Sequence, residues 1–197
     1  METGMHKAHR TGRCWLALSL LLLLLPVSGA GQEQLADPYR IEAAFLRNFA
    51  HYVIWPDSAF RNSEAPWCVA VLGRDPFGDV LETTFKGRTE QGRSFVIFRA
   101  DKPEELPPCQ IVFVAHRNAT KRNAALAALK GKPVLTVGDA PGFLREGGVI
   151  RFQVSDRVRM SINLDQARAA SLNIPTRMLE VASEVMENDT VHKVRER

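Results

Sequence analysis

Gly147 to Ala182, GGVIRFQVSDRVRMSINLDQARAASLNIPTRMLEVA, decides the fold. Val149, Ile150, Phe152 and Val154 predict a strand buried on at least one face. Ser155, Asp156 and Arg157 form a polar turn, after which Val158, Met160, Ile162 and Leu164 alternate with Arg159, Ser161 and Asn163. Such alternation describes a strand with one face on a core and one face wet. Asp165 is expected to cap a short helix carrying Ala169 and Leu172, and Pro175 to open a second with Met178, Leu179 and Ala182. The stretch therefore reads as an edge hairpin followed by its helical cover.

Upstream, hydrophobic runs alternate with helical periods. Asp37 and Pro38 suit the N-cap and first position of a helix whose stripe is Ile41, Ala44, Phe45, Asn48, Phe49 and Tyr52. An aromatic stripe at this spacing predicts core packing, with Phe45 against Phe49. Pro56 ends the helix, and Trp55 before it is either a corner of the core or a semi-exposed docking residue. Strands are expected at 67–72, 93–99, 110–116 and 133–137. Helices should begin at Asp75-Pro76 and at Asn118 or Thr120, and a single turn should surround Phe143 and Leu144. These strands read as apolar on both faces, and the residues after Ala182, rich in charge, as fraying. The expected fold is α/β: a mostly parallel sheet of about six strands, helices on both faces, and a C-terminal antiparallel edge hairpin.

Residues 1–30 are a separate matter. Lys7, Arg10 and Arg13 precede Cys14–Leu25, twelve uncharged residues with eight leucines, and Pro26 and Ser28-Gly29-Ala30 follow. This is the pattern of a secretory signal peptide cleaved after Ala30, and the run is shorter than the roughly 18 residues a spanning helix needs. Residues 31–197 then form a single domain with its core at 39–182. The full chain has 26 basic and 22 acidic residues; without the leader, 23 and 21 remain, a net charge of +2. No basic patch interleaved with aromatics is present, which argues against a nucleic-acid partner.

Of the cysteines outside the leader, Cys68 opens the first strand and Cys109 precedes the third. An exported domain favours pairing them, with free thiols as the alternative. If those strands are parallel neighbours, both cysteines lie at one end of the sheet, within disulfide reach.

Catalytic signals are sparse. His51, His116 and His192 lack a second ligand at metal spacing, and no GxSxG, P-loop or HExxH occurs. His116 at a strand end is the best single candidate, against a plain surface histidine. Gly73-Arg74-Asp75-Pro76-Phe77-Gly78 is a poor dinucleotide loop, since Pro76 removes a donor. Asn163 either ties the hairpin to the following helix or lines a pocket. Neither a cofactor nor a metal is indicated.

FLRNFAHYVIWP, VAVLGRDPFG, PVLTVGD, GGVIRF and SINLDQARAASLNIPTRMLEVA together resemble the YfiR-like family of small exported bacterial proteins. The resemblance rests structurally on Phe45, Phe49, Pro56, Gly73, Gly148, Ile150, Phe152, Asn163 and Leu172. It implies a periplasmic, non-catalytic repressor of an inner-membrane diguanylate cyclase, bound at the cyclase's periplasmic sensor region and released by a sequestering outer-membrane lipoprotein. Some members resemble companions of membrane histidine kinases instead. It also implies the Cys68–Cys109 bridge; a second cysteine pair of some relatives is absent from Pro141 to Gln153. Met160-Ser161 differs from the bulky and acidic residues of relatives. Trp55, Arg151 and Arg159 are the expected partner contacts, and a homodimer is compatible. The rival reading is a small-molecule binding protein using Gly73 to Phe77, Arg117 and Gly138; an exported hydrolase comes third.

Overall fold

The structure, a computed structural model, describes residues 37–194. The expected leader, 1–30, lies outside the described residues. Helix α1 spans Pro38–Tyr52, with the Asp37 carboxylate accepting the Tyr39 N–H at 3.1 Å. Its buried side is Glu42, Ala43, Leu46, Phe49 and Ala50. The expected stripe is therefore rotated: Ile41, Ala44, Phe45 and Asn48 are half-buried and Tyr52 is exposed. Ala43 and Ala50 explain the rotation, because small side chains let the helix axis approach the sheet while the larger Phe45 is left at the margin.

The strands are β1 Trp67–Leu72, β2 Thr89–Glu90, β3 Arg93–Ala100, β4 Ile111–Val114, β5 Leu135–Gly138, β6 Ile150–Val154, β7 Val158–Asn163, β8 Glu184–Glu187 and β9 Thr190–Lys193. The described residues form one mixed sheet in the order β2-β3-β1-β4-β5-β6-β7-β8-β9. β1 is parallel to both β3 and β4, so the expected strands at 67–72 and 110–116 are the parallel neighbours that pairing Cys68 with Cys109 calls for. β4, β5 and β6 continue in parallel, β6 and β7 form the expected antiparallel hairpin, and β8 runs parallel to β7. The other helices are α2 Val80–Phe85, α3 Ala119–Leu129, α4 Leu164–Ala169 and α5 Thr176–Glu180.

Alternation along β1 divides the core. Trp67, Val69 and Val71 join α1, α2 and α5 on one face, whereas Cys68, Ala70 and Leu72 join α3 on the other. Helices thus cover both faces, as expected.

Other expectations also need correction. The β6–β7 hairpin is internal, not an edge, because the segment after Ala182 does not fray: β8 and β9 form a hairpin that extends the sheet. Asn188 and Asp189, at φ 52° and 57°, make its two-residue turn, a conformation that suits the right-handed twist of hairpin strands. β3 is not buried on both faces; every residue of it is half-buried or exposed. Finally, α2 starts later than Asp75-Pro76, because the Asp75 side chain accepts the Phe77 N–H at 2.7 Å and holds a turn.

Asn163, not Asp165, caps α4. Its side-chain oxygen accepts the Gln166 N–H at 3.0 Å, and its amide nitrogen donates to the Leu144 carbonyl at 3.1 Å. It is therefore the structural tie, joining β7, α4 and the turn before β6.

Cys68 and Cys109 are bridged, with Cα atoms 4.5 Å apart. Between them Gln110, 3% exposed, accepts the Cys68 N–H at 2.8 Å and donates to the Ala59 carbonyl at 2.5 Å. One amide thus fixes the start of β1 and the loop in front of it.

Candidate functional site

β8 joins β7 only from Ser161 onward, so Val158–Met160 has no strand on that side among the described residues. The gap is a groove of about 910 Å³, floored by Phe45, Val158, Met160 and Val181 and rimmed by Arg157, Arg159 and Glu180. A second hollow of about 210 Å³ shares Phe45, Met160 and Val181 and extends to Tyr52, Arg177 and Met178. Together they form an apolar strip along the margin of α1 and α5. Its most open members are Val181 at 68% and Tyr52 at 36% exposure, and the Arg177 guanidinium lies 4.6 Å from the Tyr52 ring centroid. Contiguous apolar surface with a basic rim is a protein-docking chemistry.

The floor is held from beneath. Phe45 and Phe49 stack with centroids 6.2 Å apart, and both pack on Phe152 of β6, at 5.7 and 6.0 Å. The expected pairing of Phe45 with Phe49 is thus present, with Phe152 as the third member.

The expected contacts are not brought together. Arg159 lines the groove and is held by Asp156 at 3.1 Å and the Ser155 hydroxyl at 2.8 Å. Arg151 points elsewhere, donating to the Pro141 carbonyl at 2.6 Å. Trp55 is half-buried, packed edge-on against Trp67 at 5.1 Å, with an indole N–H buried and unpartnered. It sits at the margin of the core, packed against it and partly open to solvent. Val181 and Tyr52 are not among the expected contacts; the sequence signal for Val181 is an apolar residue just past the end of a short helix.

A separate concavity, about 300 Å³, lies at the C-terminal ends of the parallel strands between Tyr39, Arg74, Asp75, Pro76, Phe113, Ala115, Arg117 and Asp139. Arg74 to Pro76 and Arg117 meet there as expected. Gly138 does not line it; its Cα faces the Phe143 ring. Gly73, at φ +100°, lies under the His116 ring, where an added Cβ would come within 2.6 Å of Nδ1. Glycine satisfies both the backbone and the contact.

Beside this concavity Glu42 is 0% exposed and neither carboxyl oxygen has a partner. Burial, reinforced by Asp139 and Asp37, pushes its pKa up to about 8, so the carboxyl is mostly neutral at pH 7. The Tyr39 hydroxyl is likewise pushed up, first by burial and then by Asp139 and Glu42, with Arg117 opposing. Among the described residues no three His, Cys, Asp or Glu side chains converge as metal ligands.

Residues 39–183 match the profile of the YfiR/HmsC-like family, and the chain belongs to that family. Comparison with curated proteins returns no match.

Proposed function

We propose that this member of the YfiR/HmsC-like family is a non-catalytic periplasmic regulator that represses an inner-membrane diguanylate cyclase by docking on its periplasmic sensor region. Family membership supports the regulatory class. The observation that carries the docking is the strip from Tyr52 through Phe45 and Met160 to Val181, an apolar surface inside the family-matched core. Apolar anchors with arginines at the rim are the composition that dominates binding energy at protein interfaces. Arg157, Arg159 and Arg177 outnumber Glu180 and the Asp156 that holds Arg159, leaving a net positive rim that favours an acidic segment on the partner. Delivery by the residue 1–30 leader places the chain on the same side of the membrane as a sensor region, and a sequestering outer-membrane lipoprotein would relieve repression by competing for the same strip.

The test is a binding titration of the exported protein against the purified periplasmic region of the cyclase encoded nearest to its gene. Val181→Glu places a charge on a side chain already in water, so folding is unchanged while affinity falls at least tenfold, about 1.4 kcal/mol. Equal binding by wild type and Val181→Glu removes the strip as the docking surface.

A further inference from the structure

We infer that the crevice at the C-terminal ends of β1, β4 and β5 binds a short organic acid carrying a hydrogen-bond donor next to its carboxylate, an α-hydroxy or α-amino acid, through Arg74, Arg117 and Asp139. This is independent of the docking strip. β1 has β3 on one side and β4 on the other. The connections leaving β1 and β4 therefore part, and such a switch point is where open α/β sheets leave room for a ligand. Arg74, Asp75 and Pro76 follow β1, Ala115 and Arg117 follow β4, and Asp139 follows β5.

The walls are held in place by other charges. Asp75 is engaged by Arg99 at 2.6 Å, and the same guanidinium holds Glu82 at 2.6 Å and the Gly78 carbonyl at 3.0 Å. Across the crevice Arg122, 6% exposed, grips both oxygens of Glu146 and donates to the carbonyls of His116 at 2.9 Å and Arg117 at 3.1 Å. Two arginines thus brace the loops. The other two, Arg74 and Arg117, are exposed and make no ion pair among the described residues.

Two guanidiniums over a small concavity select a carboxylate, because the planar fork matches its two oxygens. Asp139 on the remaining wall accepts a hydrogen bond from a hydroxyl or ammonium group on the neighbouring carbon. Tyr39 and Phe113 line the concavity, and both pack on the buried Phe77, at 5.6 and 4.8 Å. A volume of about 300 Å³ is at the low end for ligand sites and suits a short acid.

The experiment is an amide-shift NMR titration of the exported protein with lactate, glycine, acetate, ethanolamine and inorganic phosphate in turn. Lactate or glycine should move the amides of Arg74, Ala115 and Asp139, with a Kd of about a millimolar or tighter. Lactate ahead of glycine identifies a hydroxy acid, and the reverse an amino acid. Arg74→Ala and Arg117→Ala should each weaken that binding at least tenfold while keeping the wild-type melting curve, since both side chains are in water. Asp139→Asn should remove the preference over acetate. The inference is overturned if neither lactate nor glycine binds, if the arginine variants bind as tightly as wild type, or if acetate and phosphate bind equally well, which would mean unselective anion attraction.

Discussion

The ring of Phe143 fills the space where a side chain on Gly148 would begin, and the same ring is within 2.6 Å of the Cβ position of Gly138. Phe143 is 0% exposed, so it has nowhere to go. Gly148→Ala should therefore destabilise the fold by about 1–3 kcal/mol, the ordinary cost of overpacking. Urea denaturation measures it, and Phe143→Leu in the same chain should recover part of the loss by making room for the methyl.

Glu42 predicts an alkaline loss of stability. Its folded pKa of about 8 lies above the ordinary 4.5, so below pH 4.5 both folded and unfolded chains hold the proton and the residue has no effect. Between 4.5 and 8 only the folded chain keeps it, and stability falls by up to about 1.4 kcal/mol per pH unit before levelling above 8. Glu42→Gln should flatten this part of the pH profile and raise the melting temperature at pH 8. An unchanged profile contradicts the burial of an unpartnered carboxyl.

Arg122 is buried and pairs with the half-buried Glu146, the arginine side chain 8% and the glutamate 17% exposed. Glu146→Ala leaves the guanidinium without its anion and should cost about 1–3 kcal/mol. Removing both charges in Arg122→Met with Glu146→Ala should cost less than the sum of the single changes, which a double-mutant cycle reads directly.

The Cys68–Cys109 bridge closes a loop of 41 residues. Cys109→Ser should lower stability by up to about 4 kcal/mol in the chain-entropy account, and dithiothreitol should do the same to the wild type. Both thiols alkylating without reductant in the exported protein would contradict the bridge.

Local chemistry that repeats in the backbone was legible. Asp37-Pro38 marks the start of α1, and the placement of β1 between two parallel neighbours, with both cysteines at one end, follows from ordinary α/β order. What escaped reading was decided by contact between distant segments. Glu184–Lys193 looks like a solvated tail because an outer hairpin carries charge to deter edge pairing; its only plain signal is the Asn188-Asp189 turn. The face α1 presents depends on the small Ala43 and Ala50 meeting the sheet, which a stripe of large residues does not disclose. Glu42, a charged residue on an amphipathic helix, carries no mark of burial in its own neighbourhood. The apolar strip joins Phe45, Met160 and Val181, 21 to 136 positions apart in number and brought together only by the fold.

Repression of a cyclase is read from cyclic di-GMP levels in cells that lack this gene and keep the membrane cyclase. Deletion should raise them, and the full-length protein should reverse the rise where its Val181→Glu variant or a copy without residues 1–30 does not. Levels that stay unchanged on deletion, or that the variant restores as fully as wild type, contradict it.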